Sequence, residues 1–487
     1  MKSPARILIV GIGPHARTFY LPVFRDLEAA GKVEVAGLVD IEQEKSFLES
    51  WLAQRGYTWP RRYLTPFSAS MPEGCAASLS AFAAEVGATG IVISTDPLSH
   101  KCYAIWAIRN DLHVLLDKPV TTAVNAVSDP KAAESIESDC EQIASARAAS
   151  KKPRAFILCA HRRFHPGFDL ALKLVAETSE STGCPVTNQH GYHSDGQWRF
   201  PEEILNQSHH SYNLGHGKLS HSGFHFLDTL YRFRKAGRVN GKEADSVEVN
   251  AAFLQPDGFL RQLTREDYRR LFGAKYDLLA PHHDQELDGR FRSFGEMDVE
   301  ASFRFLQENR TTALSSVSLL HGGFSRRSWL EPGQDLYKGN GRVKHEQHRI
   351  HVGPFLSLQI HSCQAKDKHE RSGPEDEVIG GNNHFEIWVF RNSEMIGGEP
   401  FERITFRDLP SAGGFATDKL FIEQVKRGAI EEFLDCMEGR IPGGGARSDL
   451  DDHLMPVRLL SALYRSHVNR ERSGNPLVTL PWEECRR

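Results

Sequence analysis

Eight cysteines are scattered over the 487 residues, and no two of them form a Cys-x-x-Cys pair. Cysteines in this pattern do not build a disulfide framework; they read as thiols of a reducing compartment, the cytoplasm. The sequence also lacks an apolar run of the roughly 18 residues that a membrane span needs. The first residues do not have the layout of a secretory signal. Charge of one sign is missing as well. Lys and Arg number 59 against 63 Asp and Glu, a formal net charge of −4. That balance gives no field suited to nucleic acid or to an anionic membrane, so neither is expected as a partner. What remains is an ordinary globular composition, 40% hydrophobic and 25% charged, in a chain long enough to bury two cores or more. Histidine is plentiful at 23 residues, several of them close together.

The most informative stretch is Ala5 to Arg17. Ile7 to Val10 reads as a buried strand running into Gly11-Ile12-Gly13-Pro14-His15-Ala16, a match to Gly-x-Gly-x-x-Gly/Ala. Gly11 permits the tight turn, Gly13 lets backbone approach a pyrophosphate, and Ala16 lets the next helix pack close. The helix N-terminus then offers free N–H groups to phosphates. A second strand, Val33 to Asp40, ends in an acid, somewhat beyond the roughly 20 residues at which a ribose-binding acid is expected.

The first half continues to alternate strand and helix, the mark of a parallel sheet covered on both faces. Helices are expected around 42–55, 79–86, 100–110 and 132–149, and strands at 90–94 and 113–119. The stretch 57–72 reads as a loop. Lys151 to Arg154 is a plausible boundary, giving domains 1–154 and 155–487. Beyond it, period-two alternation appears at 247–253, 297–305, 356–360 and 385–389, the pattern of half-buried antiparallel strands. The fold class is therefore α/β: an N-terminal dinucleotide-binding domain, then an α+β domain with a mostly antiparallel, open sheet. Residues 263–295 and 365–383 read as polar loop insertions, the latter mobile. Closing helices are expected at 421–437 and 452–466, and they could pack back on the first domain.

Two constellations could carry chemistry. Asp117-Lys118-Pro119 lies at the C-terminal end of a parallel strand, the edge where open α/β sheets bind ligands. A lysine there can hydrogen-bond a substrate hydroxyl, and burial can lower its pKa; at a strand end it can equally be a solvent lysine. In Gly217 to Asp228, His221, His225 and Asp228 would share one face of a helix. One imidazole could then pass a proton while the next group orients it. Histidines at i and i+4, with His209, His210 and His216 upstream, could also hold a metal. No third ligand has a recognisable spacing, and no metal is assigned. Core or capping histidines are the plainest alternative.

These motifs resemble those of the glucose–fructose oxidoreductase / inositol dehydrogenase (Gfo/Idh/MocA) family. Four segments match in order: Gly11 to Ala16, Ser94-Thr95-Asp96-Pro97-Leu98-Ser99-His100, His113 to Pro119, and Gly217 to Asp228. Residues 421–466 are similar to the family's closing helices. Asp117 stands where the family has Glu, and His221 where many members have Asp. The resemblance implies NAD on Gly11, Gly13 and Asp40, with Pro14, His15, Ala16, Ser94, Thr95, Pro97, His100, Asp117 and Lys118 on the cofactor side. Asp40 argues for NAD, because the 2′-phosphate of NADP, the second option, would meet a carboxylate. Lys118 and His225, with His221, are implied to handle the hydroxyl proton of a sugar or cyclitol during hydride transfer. Arg163, Tyr192, His193, Trp198 and His221 are candidates for the substrate wall, as are their neighbours Arg162 and His165. Homo-oligomers through the open sheet face are implied too. Two other activities stay open at this point: a glycosidase using NAD redox transiently, and a non-catalytic dinucleotide-binding regulator.

Overall fold

The computed structural model describes residues 4–152, 154–208, 210–331, 340–365, 373, 377–409, 414–415, 420–442 and 444–483. The chain forms two compact units. The first comprises 1–122, 137–164 and 422–457, and the second 123–136, 165–421 and 458–487. The sequence suggested one cut at 154, whereas the chain passes between the units several times.

In the first unit, six strands form a parallel sheet. They are β1 (Ala5–Val10), β2 (Val33–Ile41), β3 (Arg61–Leu64), β4 (Gly90–Ile93), β5 (His113–Leu116) and β6 (Phe156–Leu158), in the order β3-β2-β1-β4-β5-β6. The order reverses between β1 and β4, and that reversal opens a crevice at the strands' C-terminal ends. Ile7–Val10 of β1, all of β4 and Val114–Leu116 of β5 are continuous buried apolar runs, the pattern of strands covered on both faces. β3 lies in the stretch read as loop. Its Arg-Arg pair and the preceding Pro60 hide the strand, yet it pairs in parallel with β2 at the sheet edge. Ile7, Ile9, Val35, Leu38 and Leu115 share a core with Ala429, Ile430, Phe433 and Leu434. These last four are the apolar stripe of helix Phe421–Met437.

In the second unit, nine strands form one sheet: β7 (Asn188–Gly196), β8 (Ser246–Leu254), β9 (Asp298–Gln307), β10 (Arg310–Leu320), β11 (Val343–Val352), β12 (Leu356–Gln364), β13 (His384–Arg391), β14 (Phe401–Thr405) and β15 (Val478–Pro481). The order is β14-β13-β12-β11-β7-β10-β9-β8-β15. All neighbours are antiparallel except β7 and β10. Helix Pro166–Thr182 packs on one face through Phe168, Ala171 and Val175, against Ile350, Leu358 and Ile387.

Residues 263–295 are not an irregular loop. They fold into short helices at Arg265–Phe272, Lys275–Leu279 and Asp284–Phe291. A capping box closes the first, with Thr264 N donating to Asp267 at 3.0 Å. Tyr268 and Tyr276 stack at 4.7 Å beside Phe200. The charged residues face outward and conceal the aromatic anchors from a periodicity reading. Most of the expected insertion at 365–383 lies outside the described residues. No helix among the described residues is long and apolar enough to cross a membrane.

Arg327 is buried and grips Glu203 through two bonds of 2.5 and 2.8 Å, its guanidinium 4.0 Å over the Phe200 ring. Arg327→Met leaves a buried carboxylate uncompensated, so denaturant unfolding should show a loss of about 3–5 kcal/mol. Arg427→Ala, which breaks an exposed pair with Glu431, should change stability by less than about 0.5 kcal/mol.

Candidate active site

The site in the first unit is built at the ends of β1, β2, β4 and β5. Gly11 has φ +85°, and a Cβ on it would stand 2.7 Å from the backbone of Ser94 and Thr95. Glycine is therefore required twice, by conformation and by the close crossing of the two strand ends. Gly13 differs: a Cβ there would meet nothing within 4 Å. Its outer side is open, as the approach of a pyrophosphate requires. Pro14 opens the following helix, and buried Ala16 fits beneath it.

Asp40, at the end of β2, accepts from Ile12 N at 2.5 Å and from Ile41 N at 2.7 Å. Burial raises its carboxyl pKa while those two N–H groups oppose the rise. A carboxylate has about four lone-pair sites, so two stay available to a ribose diol. Arg17, which the sequence reading passed over, stacks 4.7 Å over Phe47 and acts on Asp40.

The Ser94–His100 segment is ordered by its own contacts. Asp96 caps helix Pro97–Arg109 by accepting from Leu98 N at 3.0 Å, and Pro97 occupies the first turn. Ser99 donates to the Thr95 hydroxyl at 2.8 Å. His100 is fully buried. Its Nδ1 lies 2.8 Å from the Pro119 carbonyl and its Nε2 3.2 Å from the Thr95 carbonyl. Burial lowers its pKa. The neutral ring has one N–H to donate, and the shorter contact to Pro119 is where we place it. His100 thus ties the loop after β4 to the loop after β5, with no ring nitrogen turned to a ligand.

Asp117 accepts from Lys118 N at 2.9 Å, and its other oxygen lies 3.7 Å from His15 Nε2. The glycine turn and the lysine strand end are therefore neighbours at one sheet edge. Lys118 is half-buried. Burial lowers its ammonium pKa, Asp117 opposes this, and Lys426 and Arg162 add to the lowering. Tyr20 and Cys159 border the same place, and burial pushes the thiol up to about 12. Arg163 does not join them. Its guanidinium donates to the Arg447 carbonyl at 2.6 Å and to Asp452, holding the loop before the last helix.

In the second unit, Gly217 to Asp228 is not one regular α-helix. A π-helical turn, Leu219–Gly223, precedes helix Phe224–Ala236. Buried Glu296 holds it: Leu219 N donates to its carboxylate at 2.8 Å, Lys218 N to its carbonyl at 2.9 Å, and Tyr464 OH to its carboxylate at 2.9 Å. Burial pushes the Glu296 carboxyl up to about 7 against those donors. His225 is buried, and His221 packs against the rings of His210 and His216 at 4.4 and 5.5 Å. Among the described residues, no three His, Cys, Asp or Glu could hold a metal; His209 lies outside them.

The expected wall residues divide. Along β7, Gln189, Gly191 and His193 face the helices, with His193 5.1 Å from Phe226. Tyr192 points to the opposite face, 5.6 Å from His345. Consecutive strand residues cannot line one wall. Trp198 donates to Tyr268 OH at 3.1 Å and packs on Phe200, so its ring belongs to the aromatic core of the short helices. His165 caps helix Pro166–Thr182.

A polar cluster that the sequence reading missed surrounds Asp195. Lys218 and Arg342 reach its carboxylate. Burial works against ionisation, but Arg342 and Lys218 hold the carboxyl well below its usual value. Burial also brings Lys218 down to about 8 and His321 to about 3. The available signal was the run of polar residues on the helix-facing side of β7, where an apolar set is normal.

Residues 5–145 match a family model described as "Oxidoreductase family, NAD-binding Rossmann fold" (GFO_IDH_MocA). No curated protein matches the chain. Solved structures share the fold over nearly the whole length. An aldose-aldose oxidoreductase from Caulobacter crescentus complexed with glycerol is 17% identical, with TM-score 0.54 over 98% of this chain and 100% of that one. An inositol dehydrogenase homolog from Azotobacter vinelandii complexed with NAD+ is 13% identical, with TM-score 0.58 over 99% and 98%. An oxidoreductase from Agrobacterium radiobacter in complex with NAD+, L-tartaric acid and magnesium is 13% identical, with TM-score 0.56 over 98% of each chain.

Gly11→Ala should unfold at lower temperature, with a cost of about 2 kcal/mol or more from strain and overlap. Gly13→Ala should melt near the wild type yet lose NAD affinity, read by fluorescence titration. Glu296 offers a pH test. Its folded value, about 7, lies above the ordinary 4.5, so its stabilising contribution is complete below the lower value and disappears as pH rises through the higher. The loss is about 3 kcal/mol. Wild type should therefore lose stability between pH about 5 and about 8 more steeply than Glu296→Gln.

Proposed function

We propose, on the match of residues 5–145 to the NAD-binding oxidoreductase family model, that the chain is a nicotinamide-dependent dehydrogenase for a secondary hydroxyl or ketone of a sugar, sugar derivative or cyclitol. The observation that carries this reading is the 3.7 Å approach of His15, in the glycine turn, to Asp117, next to Lys118. This approach supports the reading of Lys118, beside the glycine turn, as the group that handles the substrate proton. The solved relatives named for an aldose and an inositol activity agree with the substrate class.

The residues of the turn fit the cofactor. Gly13 leaves room for the pyrophosphate, and Asp40 accepts from a ribose hydroxyl and repels a 2′-phosphate, which favours NAD. Bound there, nicotinamide supplies the hydride acceptor or donor. Lys118 donates to the substrate oxygen and lowers the cost of removing its proton, and burial, by lowering its pKa, makes its own proton easier to give up. His225 is proposed as the base on its place in the His-x-x-Asp motif. The face of the second sheet bearing Tyr192 and His345 is the one through which we expect homo-oligomers to form.

The test is NADH formation across a panel of polyols, sugars and sugar derivatives. Lys118→Met should lower turnover by about a hundredfold or more while NAD affinity stays within twofold. Normal turnover in that variant, on a substrate the wild type uses, would remove Lys118 from the mechanism.

A further inference from the structure

Two opposite charges are anchored to a single residue of the glycine turn. Ile12 gives its N–H to Asp40 at 2.5 Å, and its carbonyl accepts from Arg17 Nη1 at 3.3 Å. Carboxylate and guanidinium therefore both stand at the end of β2, and each acts on the other. That strand end is where sheets of this kind bind the 2′-oxygen of an adenosine ribose. Asp40 suits the bare hydroxyl of NAD. The 2′-phosphate of NADP carries about −1.5 to −2 charges at neutral pH and suits a guanidinium.

Arg17 is held ready for such a group. Its guanidinium carbon lies 4.7 Å from the centre of the Phe47 ring and 5.7 Å from that of Trp51. These two aromatics are four residues apart on helix Lys45–Gln54 and so share one face. Phe47 is 48% exposed, too open to serve a core. A guanidinium stacked by its face keeps its N–H groups, which lie in its plane, for other partners. Ile12 takes one of them. Glu44 and Asp40 act on Arg17 through space, and Arg55 acts against them, but Arg17 forms no ion pair among the described residues. Arg55 is itself stacked on Trp51 at 4.3 Å. Two carboxylates alone would exclude a phosphate, and two guanidiniums alone would require one. Here both pairs are present, and Arg17 is the cation that shares Ile12 with Asp40.

We propose that Arg17 selects the cofactor: its planar edge binds the 2′-phosphate of NADP against the repulsion of Asp40, so that the chain takes both dinucleotides, NAD the more tightly. This deepens the cofactor part of the dehydrogenase reading and rests on the glycine turn as the dinucleotide site.

Calorimetric titration of the full-length protein with NAD and with NADP, at one salt concentration, tests it. Wild type should bind NADP within about a hundredfold of NAD. Arg17→Leu should lower the ratio of NADP to NAD affinity by about tenfold or more, as expected for lost hydrogen bonds between charged groups. Asp40→Asn, which removes the opposing charge, should raise that ratio. An unchanged ratio in Arg17→Leu would overturn the proposal, whether the variant binds both dinucleotides as wild type does or loses both equally. The second result would give Arg17 to the pyrophosphate, the adenine or the fold. Wild type that binds NAD but no NADP would overturn it as well, and binding of neither would remove the site itself. Turnover enters none of these readouts. A chain that binds both dinucleotides and oxidises no polyol or sugar would therefore count against the dehydrogenase reading and not against this one.

Discussion

The first unit depends on one crossing, where the backbone of Gly11 presses on the peptide joining Ser94 to Thr95. No side chain fits between the ends of β1 and β4, so the turn after β1 has one course. That course sends Ile12 N to Asp40 and begins a helix at Pro14. It also brings His15 to Asp117. His100 does the same for the neighbouring loops, joining the carbonyls of Thr95 and Pro119. A backbone packed this closely holds its course without side-chain adjustment, which is the preorganisation a binding turn requires.

The second unit solves a different problem. A π-helical turn is less stable than an α-helical one and persists where other contacts hold it. Glu296 supplies them by accepting from Leu219 and Tyr464 and by lying against Gly217, where a Cβ would stand 2.1 Å from its carbonyl oxygen. The turn carries Lys218 toward Asp195 and presents His221 to His210 and His216. One buried carboxyl thus sets the backbone of the segment in which the histidine motif lies.

Much of this was legible in the residues. Apolar runs such as Ile7–Val10 and Gly90–Ile93 can be little else than strands of a buried parallel sheet, and the glycine spacing located the tight turn after β1. The alternation at 297–305 and 385–389 identified strands of the second sheet. Other features were hidden for physical reasons. β3 holds its place by pairing with β2, a non-local contact that its polar sequence does not announce. Tyr192 and His193 were read as one wall because both suit a sugar, although adjacent strand residues face opposite ways. Arg163 looked available until the distant Arg447 and Asp452 claimed it. The Asp195 cluster draws residues from positions 195, 199, 218, 321 and 342, and no spacing rule joins them.

The helical excursion between β8 and β9 has a consequence for how such a chain can vary. It departs after Leu254 and returns at Asp298, and those two residues are partners in the ladder. Its helices pack through aromatic contacts with one another, Tyr268 on Tyr276 and Phe291 on Phe294, and with Trp198 and Phe200 outside them. Closing a loop costs only about 0.6 kcal/mol more for each doubling of its length. A hairpin tip of this kind is a place where evolution can lengthen, shorten or exchange a small module while every strand register around it stays as it was.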